Sequence, residues 1–201
     1  MPARVFVAIE LPPPTRLLMT EAMRSFLSIE PSWRTEKPVA HGLLHVTLAF
    51  LGAVPDPLLE PLLERLGVAV KDMEPFEVRV AGARAVPSMR HASMLWATLD
   101  DASGLAASLS AIIAREAGLP AEGRAFRAHV TLARSRRPRA VGPRAIEAAS
   151  TLLSDSGRLA DRTVSVRSAT VFSSTLRSAG PAYEPLALLA FGAIGGNAAA
   201  R

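Results

Sequence analysis

The sequence predicts a mixed strand-and-helix fold made of two similar lobes related by a pseudo-two-fold axis. Three observations point there. The tetrapeptide His-Val-Thr-Leu occurs at His45–Leu48 and again at His129–Leu132. Segments of strand and helix character follow one another in the same outline around each copy, too few and too long for a solenoid. No linker rich in Gly, Ser or Pro divides the chain, so residues 1–194 are expected to form one bilobal domain, followed by a frayed tail at 195–201.

Arg4–Leu11 alternates and is rich in β-formers, which marks a strand. Pro12 to Pro14 suit a helix entry, and Leu17, Leu18, Met23, Phe26 and Leu27 give Thr15–Ile29 helical spacing. Leu43–Gly52 reads as a second strand closed by Gly52, and Leu58–Asp72 as a helix after Pro55 and Pro57. Phe76–Val86 and Ser93–Asp100 are strands. Ser103 is the expected N-cap of a helix that opens at Gly104 and ends at Gly118. The remaining elements are a strand over Phe126–Ser135, a helix over Arg144–Asp155, one strand over Arg162–Ser174 and a last strand over Ala182–Phe191.

Composition narrows the function classes. Hydrophobic residues make up 49% of the chain and aromatic residues 5%, so the core is built mainly from Leu, Val, Ile and Ala. The absence of cysteine removes disulfides, thiolate zinc sites and thiol catalysis, and suits the cytoplasm. The opening residues have neither signal-peptide nor anchor character, and no apolar run nears the roughly 20 residues of a membrane helix. The expectation is a soluble protein with no membrane partner. The formal charge of +5 favours a polyanionic partner such as nucleic acid. All basic residues except Lys37 and Lys71 are arginine, a pattern that GC-rich coding also produces, so charge alone identifies nothing.

The repeated tetrapeptide carries chemistry. Alternation in a strand puts His45 and Thr47 on one face and Val46 and Leu48 on the other; His129 and Thr131 share a face in the same way. Two lobes meeting about a pseudo-two-fold axis bring these polar faces together across a groove. Two imidazoles flanking one phosphorus can serve as general base and general acid near neutral pH. Threonine hydroxyls beside them can hold the non-bridging oxygens where charge gathers. The scheme calls for no metal, and two histidines fall short of the usual three or four zinc ligands. The remaining histidines, His41 and His91, lack the following threonine and read as surface residues.

With these motifs the chain resembles the bacterial RNA 2′,3′-cyclic phosphodiesterases, also called 2′-5′ RNA ligases, of the two-histidine phosphoesterase superfamily. The resemblance extends through RVFVAIELP, HVTLAFLG, LWATL, FRAHVTLAR, VFSSTL and GPAYEPL, from about Arg4 to Phe191. Ala128 stands where proline is frequent in the family. The resemblance implies an α+β fold with antiparallel sheets lining a central cleft. It also implies metal-independent and cofactor-free hydrolysis of an RNA 2′,3′-cyclic phosphate to a 2′-phosphomonoester. His45 would be the acid that protonates the 3′ oxygen and His129 the base that activates water. Thr47 and Thr131 would bind the phosphate. The implied partner is RNA with a cyclic phosphate end, tRNA-half-like or other, bound by a monomer. The reverse reaction, with a 5′-hydroxyl in place of water, joins RNA ends without ATP, and no P-loop or nucleotidyl-transfer lysine motif is present.

Arg134, Arg136, Arg137, Arg139 and Arg144 either line a groove mouth or belong to a solvated loop interrupted by proline. Strict alternation turns Arg134 away from Thr131 unless the strand ends or bends. Odd spacing from the histidines assigns Phe50 and Phe126 to the core, as composition does Trp33 and Trp96. Tyr183 is a candidate cleft residue. Two other readings stand beside the leading one: a cyclic phosphodiesterase for a small nucleotide or ADP-ribose-type substrate, and a non-catalytic RNA-binding module. Intact His and Thr in both motifs weigh against the second.

Overall fold

The computed structural model describes residues 3–120, 125–177 and 180–192; the tail expected to fray lies outside them. The elements run β1 (Ala3–Glu10), α1 (Pro13–Ile29), β2 (Lys37–Pro38), β3 (His45–Val54), α2 (Asp56–Val70), β4 (Phe76–Val86), β5 (Ala92–Asp100) and α3 (Leu105–Glu116). Then come β6 (His129–Arg139), α4 (Pro143–Ser154), α5 (Leu159–Arg162), β7 (Thr163–Val166), β8 (Ser168–Arg177) and β9 (Gly180–Ala190). The strands pair antiparallel in the order β7-β4-β5-β6-β3-β1-β8-β9, with β2 added to β6.

This order is symmetric about its middle. From the centre outward, β3-β1-β8 mirrors β6-β5-β4, and β9 and β7 flank the two ends. The chain therefore repeats the unit strand-helix-strand-helix-strand twice, as β1-α1-β3-α2-β4 and β5-α3-β6-α4-β8. One expectation is corrected here. The two halves of the chain do not each build a lobe, because the last strand of each unit crosses over: β4 pairs with β5 and β8 with β1. Each lobe thus mixes strands from both units.

A second correction concerns Arg162–Ser174, read as one strand. It is two strands, β7 and β8, broken at Arg167. One residue spans two places near opposite ends of the sheet order, which is possible only if the sheet curls strongly. The curl shows where the ends approach: the Phe191 N–H donates to the Arg167 carbonyl at 2.9 Å, and Phe76 stacks on Phe191 at 6.2 Å.

Helices cover the apolar face of the curled sheet. Along α1, Thr15, Leu18, Met19, Ala22, Met23 and Phe26 are buried, the three-and-four spacing of one helical face, with Pro13 in the first turn. In α4 the same stripe is Ala145, Ala149 and Leu153, and α1 packs on α4 as α2 packs on α3. Trp33 is fully buried, as expected, and meets the Phe26 ring edge-on at 5.7 Å. No helix of the described residues is long and apolar enough to cross a membrane.

The ends of α3 show which cap signals hold. Gly118 adopts φ +66, and the N–H groups of Gly118 and Leu119 close on the carbonyls of Arg115 and Ala114, a Schellman ending. At the other end, the cap position is Gly104, and Ser103 accepts one N–H, that of Leu105, at 3.3 Å. Asp101 does more: its carboxylate accepts the N–H groups of Ala106 and Ala107 at 3.2 and 3.0 Å. Asp101→Ala should therefore lower stability by about 1 kcal/mol, the usual loss of a cap. Urea denaturation of Asp101→Ala and Ser103→Ala, compared with the parent, checks this; the serine variant should lose the smaller amount.

Candidate active site

The two motif strands touch at one place. β3 and β6 share a single ladder pair, Val46 opposite Val130, both fully buried among the core side chains. Continued in the antiparallel sense, that register points His45 toward the level of Thr131 and Thr47 toward the level of His129. The pseudo-two-fold axis passes between the two valines.

Both imidazoles are fixed in the same tautomer. His45 Nδ1 lies 2.7 Å from the Leu43 carbonyl, and His129 Nδ1 lies 2.8 Å from the Arg127 carbonyl. A carbonyl only accepts, so each Nδ1 carries the proton and each Nε2 is left to exchange one. His45 Nε2 is 3.0 Å from Thr47 Oγ1, which can donate to it when the ring is neutral.

The surroundings of the two rings differ. His45 lies among Phe6 at 5.1 Å and Tyr183 at 5.5 Å, the tyrosine ring meeting it edge to face at 84°. His129 lies nearly flat on the Trp96 indole, with ring centres 3.7 Å apart and planes at 23°. Burial holds His45 below the ordinary imidazole value, opposed by the bond to the Leu43 carbonyl; the charges of Arg134, His129 and Arg16 lower it further. Burial also lowers His129, against the Arg127 carbonyl and with the help of Arg134. Burial raises Tyr183, which keeps its phenol protonated as a hydrogen-bond donor.

Two adjoining hollows flank the pair. One, of about 400 Å³, has His45, Arg4, Phe6, Phe50 and Tyr183 in its wall. The other, of about 740 Å³, has His129, Arg84, Met94, Trp96, Phe126 and Arg127. Thr47, Phe50, Thr131 and Arg134 line both and so mark the divide.

The geometry places each residue that the sequence singled out. His45, Thr47, His129, Thr131 and Tyr183 come together as expected. Arg134 joins them because β6 bulges: Trp96 faces Thr131 but Leu95 faces Ala133, so Leu132 is the extra residue and the alternation resets. Leu132 and Ala133 are accordingly buried in succession. Phe50 corrects the core assignment in the same way. Irregular pairing of β1 with β3 skips Leu48 and Leu51, and Phe50 emerges 66% exposed in the cleft. Trp96 is likewise not core filling but the platform under His129. Phe126 packs against the core and also lines the larger hollow.

The other arginines part company. Arg136 and Arg137 are exposed in an irregular stretch of β6, where the pairing with β5 jumps from Arg134 to Arg139. Neither lines the cleft. Arg139 is tied to the buried Glu36 at 2.6 Å, and Glu36 also accepts the Arg136 backbone N–H at 2.9 Å. Arg144 is exposed at the start of α4. His41 and His91 are exposed, as expected. Sequence reasoning missed Arg4, Phe6 and Arg84; each lies on a strand whose alternation reads as ordinary sheet, and no local signal marks it. Among the described residues, no three His, Cys, Asp or Glu side chains gather as a metal site would need.

Comparison with known proteins gives this arrangement a context. A protein of Thermus thermophilus named RNA 2′,3′-cyclic phosphodiesterase is 32% identical over 143 residues, covering 67% of this chain and 70% of that one. One of the same name from Aeropyrum pernix is 29% identical over 153 residues, covering 75% and 83%. The crystal structure of Escherichia coli LigT complexed with 3′-AMP shares the fold at a TM-score of 0.67 and 22% identity, covering 96% of this chain and 99% of that one. The model of the 2′-5′ RNA ligase superfamily matches residues 19–175, which contain both motif strands, and the chain belongs to that superfamily.

Proposed function

We propose that the protein hydrolyses RNA 2′,3′-cyclic phosphate ends to 2′-phosphomonoesters by acid–base catalysis between His45 and His129. The observation that carries this reading is the Val46–Val130 pair, which sets two imidazoles of one tautomer on either side of the axis. The curated relatives named for this activity support it.

In the proposed reaction the cyclic phosphate sits at the divide between the hollows. Thr47 and Thr131 donate to its non-bridging oxygens, and Arg134 faces its charge. His129 Nε2 takes a proton from water as the water oxygen bonds to phosphorus. The P–O3′ bond breaks, and O3′ takes the proton of His45 Nε2. The terminal nucleoside occupies the hollow beside His45, where Phe6, Phe50 and Tyr183 offer ring surface. Two environments favour this division of roles. An indole face stabilises an imidazolium, which strengthens His129 as the base. The deeper aromatic setting of His45 weakens its hold on a proton, which makes it the better acid. No step calls on a metal. The same reading takes the substrate as RNA, tRNA-half-like or other, and the protein as a cytoplasmic monomer of one bilobal domain over residues 1–194.

A short RNA ending in a 2′,3′-cyclic phosphate tests this with excess EDTA present. Turnover to a 2′-phosphate end should persist, and His45→Ala or His129→Ala should each lose about 10² or more in kcat. Equal turnover in all three proteins would remove both histidines from the mechanism.

The pH dependence follows from the lowered imidazoles. Catalysis needs one neutral and one protonated ring, so kcat/KM should peak below pH ~6.5 and fall as the acid loses its proton at higher pH. Bound anionic phosphate stabilises the imidazolium, so the kcat profile should lie at higher pH than that of kcat/KM. Arg134→Met removes a cation that lowers both rings. It should shift the kcat/KM profile upward in pH and raise KM.

Trp96→Leu should lower kcat by up to about tenfold and move the acidic limb of the profile, since ring stacking contributes up to ~1.5 kcal/mol. Trp96→Phe should restore most of both. Equal losses with an unchanged profile would mean that Trp96 only fills space.

A further inference from the structure

The stretch of β6 that follows Arg134 has little sheet to hold it. Pairing with β5 puts Arg134 opposite Met94 and resumes only at Arg139 opposite Ala92, so Ser93 alone faces residues 135–138. On the other side β2 reaches no further than Lys37, which stands opposite Arg134. Backbone N–H groups beyond that point need other acceptors. Glu36 supplies one: its Oε2 accepts the Arg136 N–H at 2.9 Å, two residues past Arg134. Its Oε1 meets the Arg139 guanidinium at 2.6 Å. The Arg136 N–H holds this carboxyl below the usual carboxylate range, against burial and with help from Arg139.

Among the described residues Glu36 is the only charged one that is buried, its side chain 5% exposed. A buried ion pair adds little net stability, and its best-attested use is to select one register. The turn that carries Glu36 is itself anchored. Trp33 is fully buried, the Ser32 carbonyl accepts from Arg139 at 2.7 Å, and Glu30 Oε2 accepts the Gly142 N–H at 3.2 Å. Residues 30–36 thus form a template on which this part of β6 is laid. The side chain that the template places is Arg134, which lines both hollows and donates to Met94 Sδ at 3.2 Å. The bulge at Leu132 resets the alternation, but how the Arg134 backbone sits depends on the strand beyond it.

We propose that Glu36 is a positioning residue for the cleft, which holds the Arg136 backbone and thereby fixes Arg134 at the phosphate position. This rests on the reading above, in which Arg134 faces the charge of the cyclic phosphate. Glu36 acts through the strand and not through its own charge, which Arg139 offsets. The two routes have opposite signs at the histidines. Loss of a nearby anion lowers an imidazole, whereas withdrawal of Arg134 raises both.

The test uses the full chain with Glu36→Ala, Glu36→Gln, Arg134→Met and the double variant Glu36→Ala/Arg134→Met. Two readouts are taken: KM and kcat on a short RNA with a 2′,3′-cyclic phosphate end, and NMR titration of His45 and His129 without substrate. Glu36→Ala should raise KM about tenfold, the value of one charge-assisted phosphate contact, with a smaller change in kcat. Both imidazoles should titrate at higher pH than in the parent. Glu36→Gln should restore most of both, because the amide oxygen can still accept the Arg136 N–H. In the Arg134→Met background Glu36→Ala should add nothing to KM, since the two act as a unit. Asp101→Ala, which weakens a helix cap far from β6, controls for lost stability and should leave both readouts at parental values. The proposal is overturned if Glu36→Ala leaves the imidazoles unmoved or lowers them, or if its effect on KM adds in full to that of Arg134→Met. Absence of turnover in the parent protein would remove the proposed function, but the imidazole titration, which needs no substrate, still decides whether Glu36 places Arg134.

Discussion

A single pair of valines organises the cleft. Val46 and Val130 are the one point where β3 and β6 pair, and their burial in a common core joins the two lobes. Neighbouring residues on the opposite face then have no freedom of register, since a slip of one residue would turn both histidines into the core and both valines toward solvent. Beyond this pair the strands part. β2 takes the free edge of β6, with Lys37 opposite Arg134 and Pro38 opposite Ala133, and the Val39 N–H reaches the Leu132 carbonyl at 2.8 Å. The divergence opens the hollows on either side. One contact thus sets the spacing of the proposed acid and base and also the room around them.

The bulges are the second constraint. A regular strand presents every other side chain to one face, which would leave the cleft with His and Thr from each motif and little else. The irregularity at Leu132 returns Arg134 to the polar face, and those at Leu48 and Leu51 bring out Phe50. In both motif strands the Leu that closes the tetrapeptide is the residue skipped, so the two bulges obey the same pseudo-symmetry as the histidines. The side chain that each bulge brings out is different, a cation in one lobe and an aromatic ring in the other. A symmetric scaffold therefore carries an asymmetric site.

The legible parts of the sequence were those governed by short-range rules. The period-two pattern placed β4 at its observed bounds, and Pro13 and Gly118 marked helix ends through fixed backbone preferences. The His-x-Thr spacing survived because both residues lie before the bulge in their strand. Phe50, Trp96 and Arg134 were misread or left open for reasons that no local pattern contains. Phe50 and Arg134 depend on which residue the partner strand skips, and Trp96 on a cross-strand neighbour, Thr131, that sets it beside His129. The strand exchange that puts β4 and β8 in opposite lobes was illegible too, because pairing partners far apart in sequence are chosen by the closure of the whole sheet.

Electrostatics ties these features to the chemistry. The cleft is built against positive charge on its own histidines: burial, Arg134 and, for His45, the other imidazole all favour the neutral ring. An empty cleft thus disfavours the protonated acid that the proposed reaction needs. A phosphate anion at the divide reverses this balance, since it offsets Arg134 and stabilises one imidazolium beside it. Under the proposed mechanism the substrate itself would complete the acid–base pair. In the proposed reaction the same arginine and the same burial that depress the free histidines would favour a phosphate, so that binding and activation would be one electrostatic event.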